Sequence, residues 1–424
     1  MTSLNLQRNS EVFFSTVDLL NGAAVTAMTP SNTWKLEVLA GFAVSASSAT
    51  QDITSLESGL SPDRSQQRFN TAINPVEWNF QVYLRPTGVE TGATAGGTGG
   101  ATSPSGNVKP LADWFMWQAL VSNTRASTGS AEQSVWATGG RLATTNVAAG
   151  TGSHSSRSNF AVAQEDQYLY FKLDNVIYQV SNAAVNQATV DAGIEEIATV
   201  TWTGNGTTMR ELTGVPRNNA VSVFGGVLNA GGTPVVANSN AFALSAAASY
   251  HPYNQMNVAG AIATNSFIKN RLSSISFQHA SAAGVAGNTY TFPVTSLTFD
   301  YNNNITYLTP EELTALNSPI GNFTGTRAVT GSATMYLRAG DSQSSQFLRN
   351  IAQDSRTSSA QTSNANLNIG GTTAPFVQFS MPAVQFEFPQ VVVEDVLAVS
   401  VNFMAQEPNA SRGQGGEVLI VADK

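Results

Sequence analysis

Apolar and polar residues alternate with a period of two along much of the chain, the mark of strands with one buried and one wetted face. Trp78, Phe80, Val82 and Leu84 alternate with Glu77, Asn79, Gln81, Tyr83 and Arg85. Leu169, Phe171 and Leu173 alternate with Tyr168, Tyr170 and Lys172. Val384, Phe386 and Phe388 alternate with Gln385 and Glu387, and Leu397, Val399, Val401 and Phe403 with Ala398, Ser400 and Asn402. Turn-forming clusters separate such runs at Asn21-Gly22, Pro62-Asp63, Gly204-Asn205-Gly206 and Asn302–Asn304. Helical spacing is confined to three places. Leu111, Trp114, Phe115, Gln118 and Ala119 follow Pro110, Phe347, Leu348 and Ile351 share one face of Ser344–Asp354, and Pro310-Glu311-Glu312-Leu313 opens a short third helix. The pattern predicts a mainly β chain with few helices.

Three stretches carry no such period: 87–108 with its Gly96-Gly97-Thr98-Gly99-Gly100 run, 126–159, and 204–265. They read as loops, although Val221–Leu228 and Ala241–Leu244 leave room for strands in the third. Against this background the chain repeats itself. The word ITSL at 53–56 returns as ITYL at 305–308, and VYLR at 82–85 returns as MYLR at 335–338, at near-equal spacing. Each YLR strand is followed by a glycine-bearing turn and a helix, with Phe115 and Phe347 in similar places. Each half then closes alike, EEIATVTW at 195–202 against EDVLAVSV at 394–401. Two copies are too few for a solenoid, so the order predicts a tandem duplication: domain 1 over 1–203 with insertions at 87–108 and 126–159, a connector over 204–265, and domain 2 over 266–424.

Composition narrows the function. Only 11% of the 424 residues are charged, against an ordinary ~25%, and Ser, Thr, Asn, Gln, Ala and Gly take their place. Such a surface suits burial against other protein. There are 20 basic and 28 acidic residues, a net charge of −8, which argues against a phosphate grip on nucleic acid. The absence of cysteine removes disulfides, thiol nucleophiles and thiolate metal sites. No signal-peptide pattern opens the chain and no apolar run approaches the ~20 residues of a membrane span, so use in a cytosol without a membrane is expected.

Catalytic constellations are thin, and the chain reads as a non-enzyme without cofactor or metal. His154, His251 and His279 sit in separate contexts without acids at metal-ligand spacing. There is no G-x-S-x-G elbow, and the glycine run at 96–100 lacks the Lys-Ser/Thr of a phosphate loop. Adjacent acids at Glu195-Glu196 and Glu394-Asp395 point to opposite faces of an extended chain and recur in both halves, so they read as architecture. Trp78, Trp114, Trp117 and Trp202 lie in core-facing phase, which favours core filling over a sugar-stacking platform.

The closing EDVLAVSVNFMAQ (394–406), the aromatic strand AVQFEF (383–388) and the helix between it and YLR resemble the tail tube proteins of long-tailed bacteriophages. The resemblance covers both halves and is weakest at 87–165 and 204–265. It implies two tandem tail-tube-like β-sandwich or barrel domains, each with one flanking α-helix. It also implies a structural virion protein whose homotrimeric, pseudo-hexameric rings stack into the tail tube of a siphovirus-like particle, assembled in the host cytoplasm. The implied partners are other copies of the chain, the tail terminator, tape measure and baseplate or tail-tip proteins; phage DNA passes through the lumen without sequence-specific binding. Loops 45–76 and 300–332 correspond to the arm that reaches an adjacent ring, and 87–108 to a decoration of the exterior or of a seam between rings. On the polar faces of the predicted strands, Glu37, Glu77 and Glu387 are the candidate lumen-facing acids. The rival classes are another virion protein (capsid, decoration or fibre) and a carbohydrate-binding β-sandwich. The first lacks a spine helix or short fibre repeats here, and the second lacks an aromatic cluster beside paired acids.

Overall fold

The computed structural model describes residues 10–19, 28, 32–53, 67–90, 108–121, 141–143, 167–174, 176–212, 267–279, 289–309, 317–340, 343–357, 363–371, 375–388, 390–392, 397–407 and 417–423. The first half contributes β1 (Ser10–Ser15), β2 (Thr33–Leu36), β3 (Ala43–Ser45), β4 (Ser48–Ile53), β5 (Gln67–Ile73), β6 (Val76–Tyr83), β7 (Pro86–Glu90) and β8 (Val108–Leu111). After helix α1 (Trp114–Val121) come β9 (Arg141–Ala143), β10 (Tyr168–Leu173), β11 (Val176–Ser181), β12 (Ala184–Gly193), β13 (Thr199–Gly206) and β14 (Thr208–Glu211). The second half contributes β15 (Ser274–His279), β16 (Thr289–Pro293), β17 (Ser296–Asn302), β18 (Thr306–Leu308), β19 (Gly321–Phe323) and β20 (Ala328–Tyr336). Helix α2 (Ser344–Thr357) precedes β21 (Ser363–Ile369), β22 (Phe376–Phe386), β23 (Gln390–Val392), β24 (Ala398–Ala405) and β25 (Leu419–Asp423). The chain is mainly β, with every ladder between these strands antiparallel.

Two layers recur. A five-stranded layer runs β2-β1-β10-β11-β14 in the first half and β16-β15-β21-β22-β25 in the second. A four-stranded layer runs β3-β6-β13-β12 in the first and β17-β20-β24-β22 in the second. In the first half the chain changes layer at Asn182, whose positive φ of 47° makes the turn between β11 and β12. In the second, β22 serves both layers: Phe376–Ser380 pairs with β25 and Val384–Phe386 with β24, with Pro382 at the break. Hairpins β4–β5 and β18–β19 leave the four-stranded layers at the same rim and meet, with Ile73 N–H donating to the Asn317 carbonyl at 2.8 Å.

The YLR and closing strands pair alike in both halves. Tyr83 faces Thr199 and Tyr336 faces Ala398, and the next residues make the same bond, Leu84 N–H to Ala198 O and Leu337 N–H to Leu397 O, both 2.9 Å. One matched pair is exchanged: Trp78 on β6 faces Gly204 on β13, whereas Gly331 on β20 faces Phe403 on β24. A Cβ on either glycine would lie 2.2 Å from the Trp78 ring or 2.3 Å from the Phe403 ring, so each large ring fills the volume its glycine vacates.

The helices fill the space beside the layers. Every described side chain of α1 is buried, which an all-apolar helix requires. Its Trp117 ring lies 4.9 Å from Trp202 and 5.7 Å from Phe379 of the second half, and Asn303 Nδ2 donates to the Leu120 carbonyl near its C-terminus at 2.7 Å. In α2, Phe347 stacks on Phe277 at 4.8 Å and meets Phe386 edge-on at 5.4 Å.

Several expectations shift. Gly204-Asn205-Gly206 is the end of β13 rather than a turn, because its glycines face inward against Trp78 and Val180. The 87–108 insertion is closed at its base by β7 and β8, so Pro110 ends in a strand and α1 starts after Asp113. Strand β9, within 126–159, pairs with β25 of the second half. Tyr168 and Tyr170, expected on a wetted face, are buried with Phe13, Val17, Leu19, Met28 and Leu212 in a second small core. Phe388 and Leu397, expected inward, are 71% and 42% exposed. Strands β13 and β14 run through the expected boundary at 203 and pair within the first half. The helix expected from Pro310, the strands at 221–228 and 241–244, His154, His251 and Glu394-Asp395 lie outside the described residues.

Candidate functional site

The two four-stranded layers are one continuous sheet. Its joint is the ladder between β12 of the first half and β17 of the second, from Gln187 opposite Asn302 to Gly193 opposite Ser296. Inward positions across all eight strand segments carry the core: Trp78, Phe80, Val190, Trp202, Phe299, Val401 and their neighbours. The alternate positions make a continuous polar face. Asn79, Gln81, Gln187, Thr189, Thr199, Thr201, Thr203, Thr298, Asn302, Thr330, Ser332, Ser400 and Asn402 all stand on it, exposed or half-buried.

These side chains bond to each other across strands. Gln81 donates to Thr199 at 3.1 Å, Thr298 and Ser332 share a bond of 2.7 Å, and Gln187 and Thr189 both donate to Asp300, at 2.7 and 2.9 Å. The face is hollowed over β17, β20, β24 and β22 into a groove of about 610 Å³ floored by Gly331 and edged by Asp300, Gln385 and Glu387. Its charged members within these strand spans and the β22–β23 link are Glu77, Asp191, Asp300 and Glu387, all acidic; the described strands place no Lys or Arg among them. Burial, then the charges of Glu196 and Asp300, push the Asp191 carboxyl above its ordinary value.

Two of the three acids named from sequence therefore share this face. Glu77 is exposed on β6, and Glu387 accepts a bond from Asn402 Nδ2 at 2.9 Å. Glu37 stands apart at the sheet's end, ion-paired with Arg85, whose guanidinium lies 5.1 Å over the Phe267 ring. Asp191 and Asp300 were passed over. The signal was available, since Gln187, Thr189 and Asp191 alternate with Ala188, Val190 and Ala192, and Thr298, Asp300 and Asn302 with Leu297, Phe299 and Tyr301. Among the described residues no trio of His, Asp and Glu gathers as a metal site, and no helix is long and apolar enough to cross a membrane.

The chain is 26% identical to tail tube protein pb6 of Escherichia phage T5 over 426 residues, which cover 98% of this chain and 75% of that relative. The chain belongs with the phage tail tube proteins. No protein-family model matches it. As a tail tube protein it is a structural component of the phage tail, and the features that matter are those of a wall. One is the polar sheet face. Another is the pair of strand edges that the described residues leave unpaired: β3 at one end of the sheet, and Gln385 to Val392 of β22 and β23 at the other. The third is the pair of hairpins at one rim, with Phe69, Leu308, Ile320 and Phe323 exposed on them or on the adjoining chain.

Proposed function

We propose that this tail tube protein is a tandem duplication that closes, three chains at a time, into pseudo-hexameric rings, and that its acidic sheet face lines the lumen through which DNA leaves the particle. The observation that carries the proposal is the β12–β17 ladder. In the repeat, β3 holds the place of β17 beside the YLR strand, and the β22–β23 segment holds the place of β12 beside the closing strand. The two open edges are thus the two sides of a joint the chain already makes once with itself. They lie at opposite ends of one sheet, so the contact is head-to-tail, and a head-to-tail contact closes into a ring or runs on as a filament. Ring closure also removes both open edges.

On this reading the hollowed polar face looks inward. Acids without basic neighbours repel a passing duplex at short range, and hydroxyls and amides already bonded to each other offer phosphates few free donors. Glu77, Asp191, Asp300 and Glu387 are the lumen acids, and Glu37, neutralised by Arg85, is the weakest member of the original set. The hairpins β4–β5 and β18–β19 are the arms toward the next ring.

Electron microscopy of the concentrated chain tests the assembly: rings of three chains with six wall segments are expected, and a stable monodisperse monomer or rings of six chains would refute it. Tails built with Glu77, Asp191, Asp300 and Glu387 all replaced by lysine should deliver DNA poorly. Delivery at the wild-type rate would remove the lumen assignment.

A further inference from the structure

The joint within the chain and the joint proposed between chains are not chemical copies. On β12 a bulge between Val185 and Gln187 sets Asn186 out of the ladder. Asn186 uses its freedom to catch the end of the incoming strand: its carbonyl accepts the Asn303 N–H at 2.9 Å and its Oδ1 accepts the Ile305 N–H at 2.7 Å. The matching segment of the second half is also bulged. Phe386 faces Phe403 and Gln390 faces Ser400, so three residues, 387 to 389, stand against two. Glu387 turns back to β24, its N–H donating to the Asn402 carbonyl at 3.0 Å. The next residue is Phe388, 71% exposed on the unpaired edge, more than any other large apolar residue among those described.

At the opposite edge, Ser45 faces Glu77 as Asp300 faces Thr330, so the counterpart of Asn303 falls at Ser48. There the chain runs Ala43-Val44-Ser45-Ala46-Ser47-Ser48, with Ala43 and Ser45 to Ser48 exposed and none of these exposed residues larger than serine. We propose that Phe388 is the anchor of the chain-to-chain joint, seating on the Ala46–Ser48 corner of a second copy where the internal joint uses Asn186. The proposal rests on the ring reading above. The physical reason for the exchange is that the internal joint forms between covalently linked partners, so an amide that fixes direction suffices. Separate chains lose translational and rotational freedom on joining, and a buried aromatic is the usual source of the offsetting affinity.

Two measurements on the full chain test this. Sedimentation of Phe388→Ser should show ring formation shifted to a concentration higher by about tenfold or more, the scale of losing one buried aromatic anchor, with the melting temperature of the unassembled chain unchanged. In assembled rings, p-benzoylphenylalanine at position 388 should crosslink on irradiation to the peptide carrying residues 46–48 of a different chain. Assembly of the serine variant at the wild-type concentration, or crosslinks only within one chain or to another region, would overturn the anchor while leaving the rings standing. Failure of the wild-type chain to assemble would refute the ring reading and the anchor with it.

Discussion

Replacing Asp113 by asparagine should stabilise the protein at pH 8 and leave it unchanged near pH 4. The Asp113 side chain is fully buried at the start of α1, where Trp202 Nε1 donates to its Oδ2 at 3.0 Å and Oδ1 has no protein partner. Burial disfavours its charged form and, against the opposing Trp202 bond, raises its pKa from 3.8 to about 7. An acid with a raised folded pKa holds a proton in the folded state that the unfolded state has already lost. Its contribution is therefore full below the unfolded pKa and declines as pH rises from about 4 to about 7. At roughly 1.4 kcal/mol per pH unit, the window amounts to on the order of 4 kcal/mol, a large share of a domain's stability. Asparagine keeps an oxygen for the indole and never ionises. Urea unfolding of the unassembled chain, followed by tryptophan fluorescence at pH 4, 6 and 8, reads the difference directly. Parallel pH profiles for the two proteins, or a less stable variant at pH 8, would refute the reasoning.

Gly331→Ala should destabilise by about 1–3 kcal/mol in thermal unfolding, because its Cβ would sit 2.3 Å from the Phe403 ring; trimming that ring in Gly331→Ala/Phe403→Leu should restore part of the loss. Tyr307→Phe should cost about 1–3 kcal/mol, since the buried hydroxyl lies 2.7 Å from both the Asn182 and Asn205 carbonyls and ties the second hairpin to the first half; an unchanged melting temperature would show the tie to be idle. Glu11 lies between Lys35 and Lys172, 2.5 Å from each. Burial acts to raise its pKa, but hydrogen bonds from Lys172 and Lys35 and their charges outweigh it, so the folded value is lowered. The benefit over Glu11→Gln should therefore be full above pH ~4.5 and vanish as pH falls through the folded pKa. A benefit that persists at pH 2 would contradict the pairing.

Period-two alternation exposed β6, β10 and β24 and the burial of all four named tryptophans because each of those strands has one face on a large core. It failed where a strand has a core on both sides. Tyr168 and Tyr170 look like a wetted face in a list of residue types, yet a small second core built from Phe13, Leu19 and Leu212 covers them. It failed again at Gly204, where glycine normally signals a turn and here makes room for a tryptophan across the ladder; that information belongs to the partner strand. The bulge at 387–389 could not be read either, since one extra residue flips the face of everything beyond it and leaves Phe388 outside. The lumen candidates failed for a simpler reason. Strand phase gives the face of an acid but not its neighbours, so Glu37 looked equivalent to Glu77 until Arg85 was seen beside it.

The low charge of the chain follows from how the polar sheet face is held. An ordinary exposed face gains solubility from Lys and Glu, whose long side chains move independently and pair at little net benefit. Here short hydroxyl and amide side chains bond laterally from strand to strand, Thr298 to Ser332 and Gln187 to Asp300, so the face is ordered without ion pairs. A lysine introduced among them would find Asp191, Asp300 or Glu387 close by, and one left unpaired would be a phosphate ligand. Excluding basic residues therefore serves two ends at once: it keeps the surface smooth and keeps its few acids unneutralised. The same economy explains why the acids are few. Asp191 and Asp300 already repel each other, with Glu196 adding to the effect on Asp191, so more carboxylates would raise that repulsion and end up protonated. A wall of neutral polar groups with sparse acids gives the most repulsion toward a polyanion for the least strain within the sheet.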